Sequence, residues 1–433
     1  MSHHMRIAWF SPLPPAPTGI SGYSAGVLPR LDAAGLQIDR FVDRNAHDFV
    51  WRHRRTPYDL VVYQLGNAPW HDYMWGYLFR FPGLVVLHDA RLHHARAAHL
   101  LRERRADDYR REFAFDHPAA PPAAAEFAVE GLHGSPVYLW PMTRSVVESA
   151  RLVAVHNDFI AEELRERHPH ARIERIRLGT ADRTAAPDAR DQIRRRHDIP
   201  AGSIVFVTFG LVTAEKRIEP ILRAFGALTA RGGNAHLLVV GASGFPGLDD
   251  LIAEHGVADR VHATGHVEDD RIADYLSAGD VSLSLRWPSA GETSASWIES
   301  LQASKPTIIS SLPHTADVPS LDARTWRPTR TSKAPVAVSV DLLEEDAALL
   351  SAMSRLAEDG ALRDALGKAG HAYWAQEHTL ELMADDYRRV IAQAALLPAP
   401  AIAGLPAHLT NDYSARAASI ARDIGVELRW PSG

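Results

Sequence analysis

The sequence predicts an α/β protein built from two doubly wound parallel sheets, and three observations carry that prediction. Short apolar, β-branched runs alternate with longer helical stretches through most of the chain, the pattern of parallel strands joined by right-handed helical crossovers. The runs 60–65 and 84–87 are almost continuously apolar, as strands covered by helices on both faces must be. The alternation also occurs twice, and 433 residues exceed one ordinary core.

In order, the first series of strands is expected at 6–10, 38–42, 60–65, 84–87, 152–155 and 173–176. The second is expected at 204–209, 236–240, 260–263, 281–285 and 307–309. Between them Gly-Thr-Ala-Asp and Ala-Ala-Pro break the pattern over 179–191, and a basic helix at 188–197 leads into the second sheet. This divides the chain into a first domain at 1–181, a second at 182–370 and a terminal helix with tail at 371–433. Helices are expected at 342–370 and 371–395. The Pro- and Ala-rich stretch 397–406 cannot continue the second of these, and one more short helix is expected at 413–424.

Composition narrows the function. A net charge of −6 offers no basic field for nucleic acid. Cysteine is absent, which removes disulfides, thiolate metal sites and a cysteine nucleophile. No apolar run approaches the roughly 18 residues that cross a bilayer. The start, Met-Ser-His-His-Met, lacks a signal-peptide core. A cytoplasmic enzyme with its natural start at Met5 is the expectation.

In open parallel sheets ligands bind beyond the carboxyl ends of the strands, so the loops there should carry the chemistry. The first strand runs into a proline-stiffened loop containing Gly19 and Gly22. These glycines let backbone N–H groups approach an anion or sugar at a helix start, although a stiff connector with two turn glycines reads the same way. The fourth strand ends in His88 and Asp89, with His93 and His94 beyond. A metal site there is disfavoured, because His93 and His94 point apart on a helix and no carboxylate pair completes the ligands. His88 is expected to hydrogen-bond at the strand end and Asp89 to cap the helix. From Arg91 to Arg111 stand seven arginines interleaved with Glu103, Asp107 and Asp108. Ion pairs on a solvated helix are the expectation, with contact to anionic lipid or an acidic acceptor the alternative.

In the second half, Gly210 follows a strand and Lys216 and Arg217 stand at the next helix start. Two cations beside a helix N-terminus can neutralise a diphosphate; the alternative is plain surface charge, which the placement after a strand disfavours. A further loop, Arg-Trp-Pro-Ser-Ala-Gly-Glu-Thr-Ser-Ala-Ser-Trp-Ile-Glu-Ser, begins at Arg286. Within it Glu292, Thr293, Ser294, Ala295 and Ser296 lead into a helix whose first N–H groups can meet phosphate oxygens, and Glu299 could hold a ribose. A capping box explains Thr293 and Ser296 equally well in isolation; their position opposite the cation loop favours the ligand reading.

Together these loops resemble the retaining glycosyltransferase family 4, whose members have the two-lobed GT-B fold, two Rossmann-like domains facing across a cleft. The likeness spans about 6–395, and Tyr63-Gln-Leu-Gly-Asn67, the stretch from Phe81 to Asp89 and Gly291-Glu-Thr-Ser-Ala-Ser look like one bacterial branch. The resemblance implies that Gly19 and Gly22 face diphosphate and acceptor, His88 contacts the donor sugar, Lys216 grips the diphosphate and Glu299 holds the ribose. It implies that the loop through Val267 edges the base and that the terminal helix crosses back to the first lobe. It further implies a nucleotide-sugar donor that is substrate and not cofactor, UDP-sugar favoured and GDP-sugar next, with retention of configuration and no metal. The acceptor would be a glycan, a lipid-linked glycan or a small molecule.

Two positions depart from the family pattern. Leu211 stands where an arginine usually follows the glycine, with Arg217 the candidate substitute; Gly291 stands where the first of two glutamates is usual, with Glu292 one residue late. These departures keep two rivals in view. A sugar-nucleotide epimerase of the same fold would consume donor without acceptor, and a degenerate binding protein would take nucleotide without turnover.

Overall fold

The computed structural model describes residues 5–426 apart from His133, Ser135, Ser332, Asp412 and Tyr413. The start before Met5, the expected helix start at Tyr413 and the end beyond Val426 lie outside the described residues. The first parallel sheet holds β1 (Arg6–Phe10), β2 (Gln37–Phe41), β3 (Leu60–Leu65), β4 (Leu84–Leu87), β5 (Leu152–Val155) and β6 (Ile173–Arg175), in the order β2-β1-β3-β4-β5-β6. The second holds β7 (Ile204–Phe209), β8 (Ala235–Val240), β9 (Val261–Ala263), β10 (Val281–Ser284), β11 (Thr307–Ser310), β12 (Ser320–Asp322) and β13 (Ala337–Val340), in the order β12-β13-β11-β10-β7-β8-β9. All pairings are parallel, and helices flank both sheets. The fold class is the one the sequence predicts.

Strands β12 and β13 were not among the expected ones. β12 is three residues, Ser-Leu-Asp, and β13 is four, Ala-Val-Ser-Val, too short and mixed to stand out as apolar runs. Both sheets reverse their direction of growth beside their first strand, so β1 lies between β2 and β3, and β7 between β8 and β10. Such switch points open a crevice at the carboxyl ends of the strands.

The long C-terminal stretch is three helices where two were expected: Glu345–Glu358, Gly360–Glu377 and Leu380–Leu396. The Asp359 side chain accepts from Leu362 N at 2.9 Å, and Thr379 from Leu382 N at 3.3 Å; each caps a new helix start. The interlobe linker passes the second break. Thr180 N donates to His378 O at 2.9 Å, and a Cβ on Gly179 would lie 2.4 Å from Thr379 O, so only glycine fits.

Leu380–Leu396 then packs on the helix Gly19–Ala33. Leu380, Met383, Tyr387 and Val390 join Trp9, Val27 and Leu31 in one buried cluster. Beyond it, the short helix Ala407–Thr410 returns to the first lobe, where His408 Nε2 lies 2.7 Å from Glu112 Oε1. Among the described residues no helix is long and apolar enough to cross a membrane.

Candidate active site

The lobes touch through loops at the strand ends. Ala90 N donates to Ala290 O at 2.7 Å, and Asn157 Nδ2 donates to Gly291 O at 3.1 Å and to Thr293 Oγ1 at 3.2 Å. Beside these contacts lies a cavity of 450 Å³ whose lining includes Lys216, Arg286, Glu292, Ser294, His156 and His314. It also takes in Thr293 and Ser296, so five of the expected site residues, Lys216 and the start of a helix among them, come together here.

Lys216 sits on a short turn after β7, its ammonium folded back to donate to Phe209 O. Gly210 makes room for it: φ is +105° and a Cβ would lie 2.6 Å from Nζ. Among the described residues no carboxylate pairs with this ammonium. Burial, with Arg286 adding to it, pulls Lys216 down from the ordinary lysine value to about 7. An anion binds the charged form, so affinity for a nucleoside diphosphate is expected to fall up to tenfold per unit as pH rises above about 7. Calorimetry at about pH 6.5 and about pH 8.5 checks this; equal affinities would show that no group changing charge between them governs anion binding.

Arg217 takes another direction. It adopts φ +60° and its Nε donates to Glu345 Oε1 at 2.9 Å, on the helix Glu345–Glu358. A buried carboxylate thus claims the guanidinium, and Arg217 does not line the cavity. Its candidacy as substitute for the arginine missing at Leu211 is corrected on that ground. Leu211 itself is 58 % exposed.

The helix Ala295–Gln302 is capped by Ser294, which accepts from Trp297 N at 3.3 Å. Thr293 accepts from the first lobe, so the capping box, the alternative reading of Thr293 and Ser296, is not formed. Ala295 is exposed at the helix start. Glu292 is held by Arg286 Nε at 2.6 Å and by Ser289 Oγ at 2.8 Å.

Gly291 has a steric reason. Its φ is +79°, and a Cβ would lie 2.6 Å from Ile160 Cδ1 and 3.3 Å from Ala90 Cβ, both in the first lobe. No glutamate side chain fits where this loop docks.

Gly19, Gly22, Val267 and Glu299 do not line the cavity. Gly22 faces Asp269, with an added Cβ 3.5 Å from Oδ2, while Gly19 has open space around it. Glu299 approaches Arg183 at 3.9 Å. Burial raises it to about 7, against the attraction of Arg183 and with a small addition from Asp269. Val267 packs on the same apolar cluster as Phe209. Of these residues, Gly22 and Glu299 are the two that lie near Asp269.

His88 Nε2 lies 2.8 Å from Gln64 Oε1, and its Nδ1 lies 3.2 Å from His156 Nε2. His156 Nδ1 lies 2.9 Å from the Ile176 carbonyl. Burial pulls His88 well below the ordinary histidine value and His156 to about 4, so both rings are neutral. Both nitrogens of His88 have protein partners, its ring packs against Tyr23 with centroids 4.7 Å apart, and it does not line the cavity. The chain continues through Gln64 Nε2 to Tyr387 OH at 2.9 Å and Tyr23 OH to Tyr387 OH at 2.8 Å.

Asp89 caps no helix. Its Oδ2 accepts from Asn67 N at 2.7 Å, while Asn67 Oδ1 accepts from Ala95 N at 2.9 Å and so serves the helix start in its place. Burial and the facing Glu292 raise Asp89 to about 6. His93 is buried against Tyr109 at 2.7 Å, and His94 is exposed. Among the described residues no group of three or more candidate ligands is placed to hold a metal.

Six of the seven arginines between Arg91 and Arg111 have carboxylate partners. The sequence reading missed roles for Arg286, His156 and Asn157. Their common signal is position, since each lies just past the end of a strand.

Residues 189–358 match the family described as glycosyl transferases group 1. Alpha-D-kanosaminyltransferase of Streptomyces kanamyceticus is 29 % identical over 152 residues, 34 % of this chain and 39 % of that protein, so the chain spans about two fifths of the relative it matches. Sucrose-phosphate synthase from Thermosynechococcus elongatus superposes on 90 % of this chain and 99 % of its own, with a TM-score of 0.65 at 18 % identity. Anabaena HepE in complex with UDP and glucose superposes on 90 % of this chain and 100 % of its own, with a TM-score of 0.61 at 13 % identity. Such likenesses speak for architecture: the chain has the two-lobed GT-B fold, and its second lobe carries the sequence pattern of the group 1 glycosyltransferases.

Proposed function

We propose that the chain is a glycosyltransferase that moves a sugar from a nucleotide-sugar to an acceptor, with retention of configuration and without a metal. The observation that carries this reading is Lys216, a buried ammonium with no carboxylate partner among the described residues, lining the same interlobe cavity as a helix N-terminus. A leaving diphosphate is the ligand that this pairing of cation and backbone N–H groups suits. The match of residues 189–358 to group 1 transferases covers this loop and helix, and the transferase name of the Streptomyces relative and the UDP bound by Anabaena HepE support the same reading.

In the reaction the bond from the anomeric carbon to the phosphate oxygen breaks, and a bond to the acceptor oxygen forms on the same face. The acceptor proton passes to the departing phosphate. Lys216 and the amides at Ser294–Ser296 oppose the charge that develops there, each pre-aimed donor contributing about 3 kcal/mol. Closure of the two lobes over a bound donor is the step that would exclude water and so disfavour its hydrolysis. His88 works by position, since its nitrogens are already bonded.

UDP-sugar is the first donor to test and GDP-sugar the second; the nucleotide-sugar is a substrate and no cofactor is required. The absence of cysteine suits a cytoplasmic setting. Contact of the Arg91-to-Arg111 face with anionic lipid is the less favoured part of this reading, because most of those arginines are already paired.

Titration with UDP, GDP and ADP without metal is expected to show one tight nucleotide, weakened at least tenfold in Lys216→Ala. Failure of all three to bind would sink the transferase reading.

A further inference from the structure

We infer that Arg286 is a second diphosphate-binding cation, completing a site with Lys216 and the first N–H groups of the helix Ala295–Gln302. The inference rests on the nucleotide-sugar reading and assigns a residue that reading does not use.

Four observations carry it. First, β7 and β10 are hydrogen-bonded neighbours, with Val281 opposite Phe206, at the switch point of the second sheet. The loops that follow them therefore leave the sheet side by side. Trp287 N donates to Glu215 O at 2.7 Å, which ties the Arg286 loop to the Lys216 turn. Arg286 N donates to Ser310 Oγ at 3.0 Å, which fixes the backbone that bears the guanidinium.

Second, Lys216 and Arg286 line the same cavity. Two cations sharing one half-buried space repel each other, and the arrangement becomes favourable when an anion lies between them. Third, the carboxylate partner of Arg286 is Glu292, which meets it at Nε. That contact leaves the two terminal nitrogens, with four N–H donors, for the bidentate geometry that suits phosphate oxygens. Fourth, neither Arg217 nor Leu211, the two other positions on the loop after β7 that bear on a second cation, is available. Arg217 is bonded to Glu345, and Leu211 carries no charge.

The test is calorimetry on the full chain with UDP, GDP and ADP and with the matching monophosphates. Arg286→Ala is expected to weaken the preferred diphosphate at least tenfold and the monophosphate less than threefold, with Arg286→Lys in between. Glu292→Gln, nearly isosteric and free of the competing charge, is expected to tighten the diphosphate two- to fivefold. A diphosphate affinity in Arg286→Ala within twofold of wild type overturns the assignment. So does an equal loss for mono- and diphosphate together with a lowered Tm, which would mark a structural role, or a weakened diphosphate in Glu292→Gln. A wild type that binds no nucleotide at all defeats the transferase reading itself, a result distinct from any of these.

Discussion

Gly291→Glu, which would put back the side chain that the family resemblance leads one to expect, is expected to lower sugar transfer at least a hundredfold. The cause is steric. The first added carbon would lie 2.6 Å from Ile160 Cδ1, and φ of +79° costs an L-residue about 1–2 kcal/mol before any clash. Relief requires the loop to leave the first lobe, breaking the Ala90–Ala290 and Asn157–Gly291 hydrogen bonds that dock the two halves. Initial rates with donor and acceptor measure the loss, and small-angle scattering measures the accompanying expansion. A variant that expands yet transfers at the wild-type rate would show that this docking is dispensable, and one that stays compact and active would show that the site accommodates the side chain. Gly291→Ala is the milder step and should fall between the two.

Glu112→Ala is expected to cost about 3–5 kcal/mol of stability, because it strands a buried guanidinium. The Glu112 side chain is 1 % exposed and that of Arg96 4 %. Arg96 Nε donates to Glu112 Oε2 at 2.6 Å, and His408 of the tail approaches the same carboxylate. Burial alone would raise the Glu112 carboxyl, but Arg96 and His408 outweigh it and hold the value below the usual glutamate range. A depressed carboxyl stabilises the fold above its unfolded value and loses that contribution as pH falls through the folded one. The pair therefore contributes fully at neutral pH and fades in acid. Urea unfolding of wild type and variant measures the difference. The double variant Arg96→Met, Glu112→Leu should recover most of the loss, since apolar packing replaces a buried pair well. A loss under about 1 kcal/mol in the single variant would mean that the pair is effectively solvated.

The strands were legible because a buried parallel strand needs a continuous apolar run, and Leu60–Leu65 or Leu84–Leu87 can be little else. What sits at their carboxyl ends was legible for the same reason, which is how Lys216 and the Glu292–Ser296 segment were singled out, and the structure brings Lys216, Glu292, Thr293, Ser294 and Ser296 to one cavity. Directions were not legible. Arg217 follows Lys216 in sequence, yet its left-handed backbone turns it to Glu345, a partner more than a hundred residues away. Gly291 reads as a lost glutamate until Ile160 of the other lobe is seen against it. Arg286 gains meaning only because β10 lies beside β7, a neighbour relation set by sheet order. Asp89 reads as a cap, but the sharp turn after β4 brings it to Asn67 and leaves the capping to that residue.

The packing of Leu380–Leu396 on Gly19–Ala33 bears on how the protein is made. The first sheet leaves the ribosome well before that helix, yet Trp9, Val27 and Leu31 find covering residues in it. About 200 residues separate the last strand of the first sheet from the helix that covers it, so at roughly 5–20 residues per second the half-covered lobe waits on the order of 10–40 s during synthesis. A fragment ending at the interlobe linker would keep that apolar surface permanently open, and would be an aggregating species where the whole chain is not.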